Sequence, residues 1–144
     1  LDLFPTLARL AQVPVGELQL AGEDLSALWN GTKRGVRDSV FLPFTDTMRA
    51  VRDERWKLIV YPRINHRQLF DLRRDPDETR NLAADPRQAP QVERLTERLK
   101  EWQRKVGDTQ PLSVSHPEPR EVDFQGYVRK PDSWQPTWIV DKYF

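Results

Sequence analysis

Four short runs of β-type sequence follow one another between residues 39 and 72, and their spacing leaves the chain few ways to fold. Val40 to Phe44, Met48 to Arg52, Lys57 to Tyr61 and Gln68 to Leu72 are separated only by Asp, Glu and Arg or by Pro and Asn turns. A parallel pairing needs a crossover of about a dozen residues, so connections this short favour an antiparallel meander. In the third run Leu58 and Val60 alternate with Lys57, Ile59 and Tyr61, which makes one face apolar and the other amphipathic. The apolar face requires a cover.

That cover is written further along the chain. Val92, Leu95, Leu99, Trp102 and Val106 recur at helical spacing, with Arg94, Glu97, Arg98 and Glu101 on the opposite side. Burying each such apolar side chain is worth roughly 1.5 to 3 kcal/mol, whereas a Glu101 to Lys105 pair adds a few tenths of a kcal/mol. Packing against the sheet therefore decides this helix. Gly107 is its expected C-cap, and a turn-rich stretch from Arg73 to Pro90, with two Asp-Pro pairs, leads into it.

The ends read differently. Asp2 is placed to cap a helix with Pro5 in its first turn, and Phe4, Leu7, Leu10 and Ala11 share a face, which predicts a short amphipathic helix over about residues 3–12. Val13 to Gly22 reads as a loop. Asp24 or Ser26 then opens one helical turn holding Leu25, Leu28 and Trp29, and Gly31 ends it. Asn30-Gly31-Thr32 matches a glycosylation acceptor, but the pattern is common by chance and the turn reading takes precedence. Residues 108–144 hold five prolines among scattered Trp, Tyr and Phe without a sustained period, and read as an extended tail lying across a folded surface.

The predicted fold class is α+β: a small antiparallel four-stranded sheet covered by one long C-terminal helix. Three segments are expected, 1–37, 38–107 and 108–144. With 38% apolar and 31% charged residues in 144, the core is thin or is completed by something outside the chain. The start at Leu1, inside a helix approach and without Met, suggests a piece of something longer.

Several chemistries fall away on composition. Lys and Arg number 23 against 22 Asp and Glu, a net charge of +1, so neither nucleic acid nor an anionic membrane is attracted at long range. No apolar run approaches the ~20 residues of a membrane span, and LDLFPTLARL lacks the regions of a signal peptide. The absence of Cys removes thiol nucleophiles and thiolate metal sites and leaves the compartment open. His66 and His116 have no metal-ligand spacing around them, no Gly-x-Ser-x-Gly is present, and the six glycines are dispersed. The carboxylate pairs Asp75 with Asp77 and Asp53 with Glu54 sit beside arginines in turns, where solvated ion pairs are the expected role. Spacing alone yields no catalytic centre and no metal site.

The order of segments is more informative. DLFPTLARLAQVPV, then MRAVRDERWKLIVYP, then QLFDLRRDPDETRNLA and an amphipathic helix together resemble the C-terminal part of a type I sulfatase, an arylsulfatase-like family of the alkaline phosphatase superfamily, over about residues 1 to 112. The resemblance implies that the first string is a helix belonging to the large catalytic domain and that the rest is the small C-terminal subdomain. Sulfatases hydrolyse sulfate esters, and some hydrolyse N-sulfates, with a formylglycine made from a Cys/Ser-x-Pro/Ala-x-Arg motif and a bound Ca2+. By resemblance these belong to the missing upstream domain, since Ser115-His116-Pro117-Glu118-Pro119 has Pro where Arg is needed. The expectation is therefore no catalytic residue, metal or cofactor in this chain, an inactive fragment that complements the catalytic domain.

The resemblance carries over only the pocket edge. The loop Phe44 to Arg49 and the turn Ile64 to Arg67 look toward the mouth of the pocket in relatives, which offers Arg49, His66 and Asp46 as substrate-binding residues. Arg49 would meet an anionic sugar or else pair with Asp53 or Asp46, and His66 would do likewise or merely close a turn. The implied partners are the upstream catalytic domain and a sulfated carbohydrate, and the implied location is periplasmic or secreted. The other reading is a free-standing, non-catalytic binding module for a sulfated glycan or a protein partner.

Overall fold

β1 (Val40–Phe44), β2 (Met48–Arg52), β3 (Trp56–Tyr61) and β4 (His66–Asp71) form one sheet in the order β1-β2-β3-β4, every neighbouring pair antiparallel. The computed structural model describes residues 1–121, 123–126, 128 and 130–144. Each connection has its own local cause. Between β2 and β3, the Asp53 carboxylate accepts the backbone N–H groups of Arg55 and Trp56, closing a tight turn. Between β3 and β4, Pro62 opens a single 3-10 turn and Asn65, at φ 46°, reverses the chain in the left-handed region that Asn tolerates. That reversal lets His66 and Arg67 pair with Tyr61 and Val60, so β4 begins two residues earlier than its apolar pattern indicates. It ends at Asp71 because Arg74 and Asp75 turn back onto the Asp71 carbonyl.

The helix covers one face of this sheet. α3 (Ala89–Val106) follows a 3-10 turn at Pro86–Gln88, where the Asp85 carboxylate accepts from Arg87 N–H. Leu95 and Leu99 are fully buried against Val51, Leu58, Val60 and Leu69, with Trp56 beside them and Phe41, Val92, Trp102 and Leu112 at the margin. Gly107, at φ 72°, takes the left-handed cap and returns its N–H to the Gln103 carbonyl. The predicted stripe needs one correction: Val106 is 53% exposed, and Gln103 is buried instead. The chain leaving Gly107 folds back over the Gln103 side of the helix, and the Gln103 amide is satisfied there by Asp108 and by the Gln110 carbonyl. On the sheet's other face Ala50, Ile59 and Phe70 form a smaller cluster with Met48, Tyr61 and Leu72.

Near the start of the chain are α1 (Leu3–Leu10) and the single turn α2 (Ser26–Trp29). Asp2 stands at the N-cap without capping; its carboxylate instead accepts from Glu23 N–H and from Arg37, tying the helix to the following loops. Thr6, fully buried, donates its hydroxyl to the Asp2 carbonyl and accepts from Leu25 N–H. Leu1 packs so closely on Gly22 that a side chain there would collide with its carbonyl. α1 stops two residues short of the expected end because Gln12 adopts φ 56°. Asp24, rather than Ser26, opens α2 by accepting Ser26 N–H, and the Asn30 side chain accepts from both the N–H and the hydroxyl of Thr32, as the turn reading requires.

The tail divides. Up to Glu118 it is laced to the body of the fold, with Asn65 and Val114 exchanging hydrogen bonds and Glu118 N–H reaching the Arg63 carbonyl. Farther on, Thr137–Tyr143 form α4, a helix the proline-rich sequence does not announce, and Trp134 and Trp138 are largely exposed. Tyr127 lies outside the described residues. Among the described residues no helix is long and apolar enough to cross a membrane.

Truncating the helix where it meets the sheet tests this core. Leu99→Ala is expected to cost about 2 to 5 kcal/mol, a large fraction of the stability of a small domain, whereas Val106→Ala should fall within about 0.5 kcal/mol because its side chain meets water. Urea denaturation of the two variants checks both values.

Candidate functional site

The β1–β2 turn, the β3–β4 turn and the first part of the tail meet at one end of the sheet. Arg49, near the start of β2, lies on the helix-facing side and is only 6% exposed. Its Nε and Nη2 donate to the two carboxylate oxygens of Asp108 at 2.8 and 2.9 Å, and its Nη1 donates to the carbonyls of Thr45 and Met48 at 2.5 and 2.9 Å. Every nitrogen of the guanidinium is occupied. Asp108, 59 residues away in sequence, thus takes the place of Asp53 and Asp46, the carboxylates that proximity in the chain suggests. Asp53 is spent on its own turn and on Arg94, and Asp46 points to solvent.

Asp108 is correspondingly perturbed. The Arg49 hydrogen bonds pull its pKa down to about 2, against the opposing effect of burial and with help from the Gln103 amide and Gln110 N–H. The pair also holds the turn: Thr45, a branched residue, sits at φ 45°, and the Arg49 bond to its carbonyl helps to fix that unfavourable conformation.

Asp46 and His66 occupy the rim. Asp46 is exposed and lies 3.7 Å from Arg63, whose Nε and Nη2 are held at 2.9 and 2.6 Å by one carboxylate oxygen of Glu118. His66, opposite Tyr61 in the ladder, stacks on its ring at a centroid separation of 6.0 Å. Burial, and then the positive charge of Arg120, push its pKa below the usual histidine value, so the ring is neutral near pH 7 and offers one donor and one acceptor. Arg49 and His66 project from opposite faces of the sheet, as their ladder partners Val60 and Tyr61 require. The turns bring the predicted residues to one end without joining them into one cluster.

Asp108, Arg63, Asn65 and Glu118 complete this end and were not singled out by sequence reasoning. Only Asp108 carried a signal, as an acidic residue directly after a helix-capping glycine. Among the described residues the sole serine–histidine contact, Ser115 Oγ to His116 Nδ1 at 2.9 Å, is between exposed sequence neighbours, with no carboxylate orienting the ring. The residues present do not fit a calcium cage or a formylglycine precursor. Among the described residues no group of three His, Cys, Asp or Glu converges, Asp53, Asp71 and Asp108 are all engaged by arginines, and the chain contains no Cys.

The structure is thus a small α+β unit, a four-stranded antiparallel meander under one helix, with the Arg49–Asp108 pair withdrawn from solvent at one end. Residues 1–105 match the family described as N-sulphoglucosamine sulphohydrolase, C-terminal, and the chain belongs to that family, the C-terminal region of the type I sulfatases. It is 35% identical over 96 residues to the choline-sulfatase of Rhizobium meliloti (strain 1021), covering 60% of this chain and 18% of that protein. It is likewise 35% identical over 95 residues to the Delta 4,5-hexuronate-2-O-sulfatase of Bacteroides thetaiotaomicron, covering 60% of this chain and 20% of that one. The solved structure of a 2-O GAG sulfatase superposes with a TM-score of 0.65 at 29% identity, over 74% of this chain and 25% of its own. The chain thus spans about a fifth of the length of the curated relatives it matches.

The Asp108 titration gives a signed expectation. Its folded pKa lies below the ordinary 3.8, so the stabilisation from ionised Asp108 is fully present above about pH 4 and disappears as pH falls toward 2, a loss of about 2 kcal/mol. Asp108→Asn should remove that dependence, so the gap in unfolding free energy between parent and variant narrows across this window. Urea titrations at half-unit pH steps measure it.

Proposed function

We propose that this chain is the structural complement of a sulfatase catalytic domain, inactive by itself, and that it lends two turns to the edge of the substrate pocket. The observation that carries the reading is the uncovered face of α1. Leu3, Phe4, Leu7 and Leu10 are between 51% and 66% exposed, although the helix is anchored by Asp2, Thr6 and Arg37. A fixed helix presenting four large apolar side chains has a partner surface to meet, and burying them is worth roughly 1.5 to 3 kcal/mol each. The sulfatase resemblance supplies that surface: α1 belongs to the large domain, segment 38–107 is the subdomain, and 108–144 is an appended tail. The same resemblance makes a periplasmic or secreted location the expected one.

At the pocket edge the roles divide. Asp46 and His66, at the rim, meet the organic part of a sulfated carbohydrate through hydrogen bonds. Arg49, with its donors filled, acts by holding the turn from Thr45 to Met48 in place. The nucleophile and the calcium site belong to the upstream domain, and no chemical step is assigned to residues of this chain.

The purified chain should leave an aryl sulfate intact with or without Ca2+, and turnover that survives repurification would sink the proposal. The reading frame ahead of Leu1 should encode a Cys/Ser-x-Pro-x-Arg motif; a start codon at Leu1 would favour the free-standing binding module. With the upstream domain present, His66→Ala is expected to raise KM for a sulfated sugar or alter substrate preference more than it harms folding, as steady-state kinetics beside a melting curve would show.

A further inference from the structure

At the other end of the sheet, where β1 and β3 begin and β2 and β4 end, lies an open cleft of about 740 Å3. Five of its lining residues are arginines: Arg34, Arg37, Arg52, Arg55 and Arg73. Three carboxylates also line it, and each is already engaged. Asp38 and Asp53 bind Arg98 and Arg94 of α3, and Glu54 binds Arg73. The cleft therefore keeps a positive surplus in a chain whose overall charge is near zero.

The arginines fall into two groups. Arg37 and Arg55 are held in place, the first by Asp2 and the second by both oxygens of the buried Asp71, with its guanidinium 4.9 Å from the centre of the Trp56 ring. Arg34 and Arg52 are exposed, and among the described residues neither has a hydrogen-bond or ion-pair partner. Arg52 cannot find one across the ladder, because its register neighbours are Val40 and Lys57, and Lys57 is itself taken by Glu78. Two unpaired guanidinium forks lining the same cleft as two fixed ones suit a tetrahedral oxyanion, which arginine binds with paired parallel hydrogen bonds. The volume exceeds what one inorganic ion fills and falls in the range of small-molecule sites, so the oxyanion is carried on a larger body.

We propose that this cleft binds a sugar-sized molecule through a sulfate or phosphate ester, with Arg34 and Arg52 as its principal ligands. The proposal rests on the cleft alone and stands whether or not the hydrolase reading holds.

The test is a titration of the 15N-labelled chain, following the arginine Nε–Hε signals by NMR, with ionic strength held constant by sodium chloride. Glucose 6-sulfate, glucose 6-phosphate, inorganic sulfate and glucose are compared. Saturable shifts of the Arg34 and Arg52 signals are expected with at least one ester, weaker binding of inorganic sulfate, and no response to glucose; the tighter ester identifies the source of the oxyanion. The Arg34→Gln, Arg52→Gln double variant should lose affinity at least tenfold while melting at the parent temperature, since neither side chain holds the fold together. Non-saturating shifts, unchanged affinity in the double variant, or inorganic sulfate binding as tightly as both esters would each overturn the proposal.

Discussion

The burial of Leu95 and Leu99 on the sheet face made by Val51, Leu58, Val60 and Leu69 is the constraint on which the rest depends. A four-stranded sheet of five- and six-residue strands has no independent stability while its apolar face meets water, and an isolated helix rich in Glu, Arg and Lys gains little from charge pairing. Each element is stable only with the other. The turn chemistry at Asp53 and Asn65 sets the strand register, and register decides which side chains face the helix.

A second level of organisation is ionic. Arginines and carboxylates distant in sequence meet repeatedly: Arg37 with Asp2, Arg49 with Asp108, Arg94 with Asp53, Arg98 with Asp38 and Arg63 with Glu118. Most are exposed and contribute little energy. Arg49 and Asp108 differ because they are largely withdrawn from solvent and hydrogen-bonded through both forks, so losing one partner strands the other. The pair links β2 to the chain just beyond the helix cap and thereby fixes both the Thr45 turn and the direction in which the tail departs.

Much of this was legible in the sequence. The period of β2 and β3, the Val92 to Trp102 stripe and the Gly107 cap are local signals, and local signals suffice when one face is apolar and the connections are short. The motifs quoted from Asp2 to Ala83 point to the sulfatase C-terminal region, which the family match over residues 1–105 shows. What escaped was non-local. Nothing near Arg49 announces Asp108, because their meeting requires the helix to have packed first. Gln103 reads as a solvent-facing residue until the returning chain covers it. The helix at Thr137–Tyr143 is a single short segment among prolines, below the length at which periodicity speaks. The candidate rim residues were located by resemblance to relatives, and their partners Arg63 and Glu118 only by the fold.

The segment from Thr109 to Glu118 is fastened differently from everything beneath it. Apart from Leu112 and Gln110, whose carbonyl and N–H meet Gln103 and Asp108, its attachments are solvent-exposed hydrogen bonds and one surface ion pair. Contacts of that kind open at small free-energy cost while a packed core stays closed. The segment is thus the more weakly held part of this end of the sheet. Releasing it takes Glu118 away from Arg63 and leaves that guanidinium with Asp46 alone, so the rim beside His66 becomes more positive by one charge without any movement of the sheet.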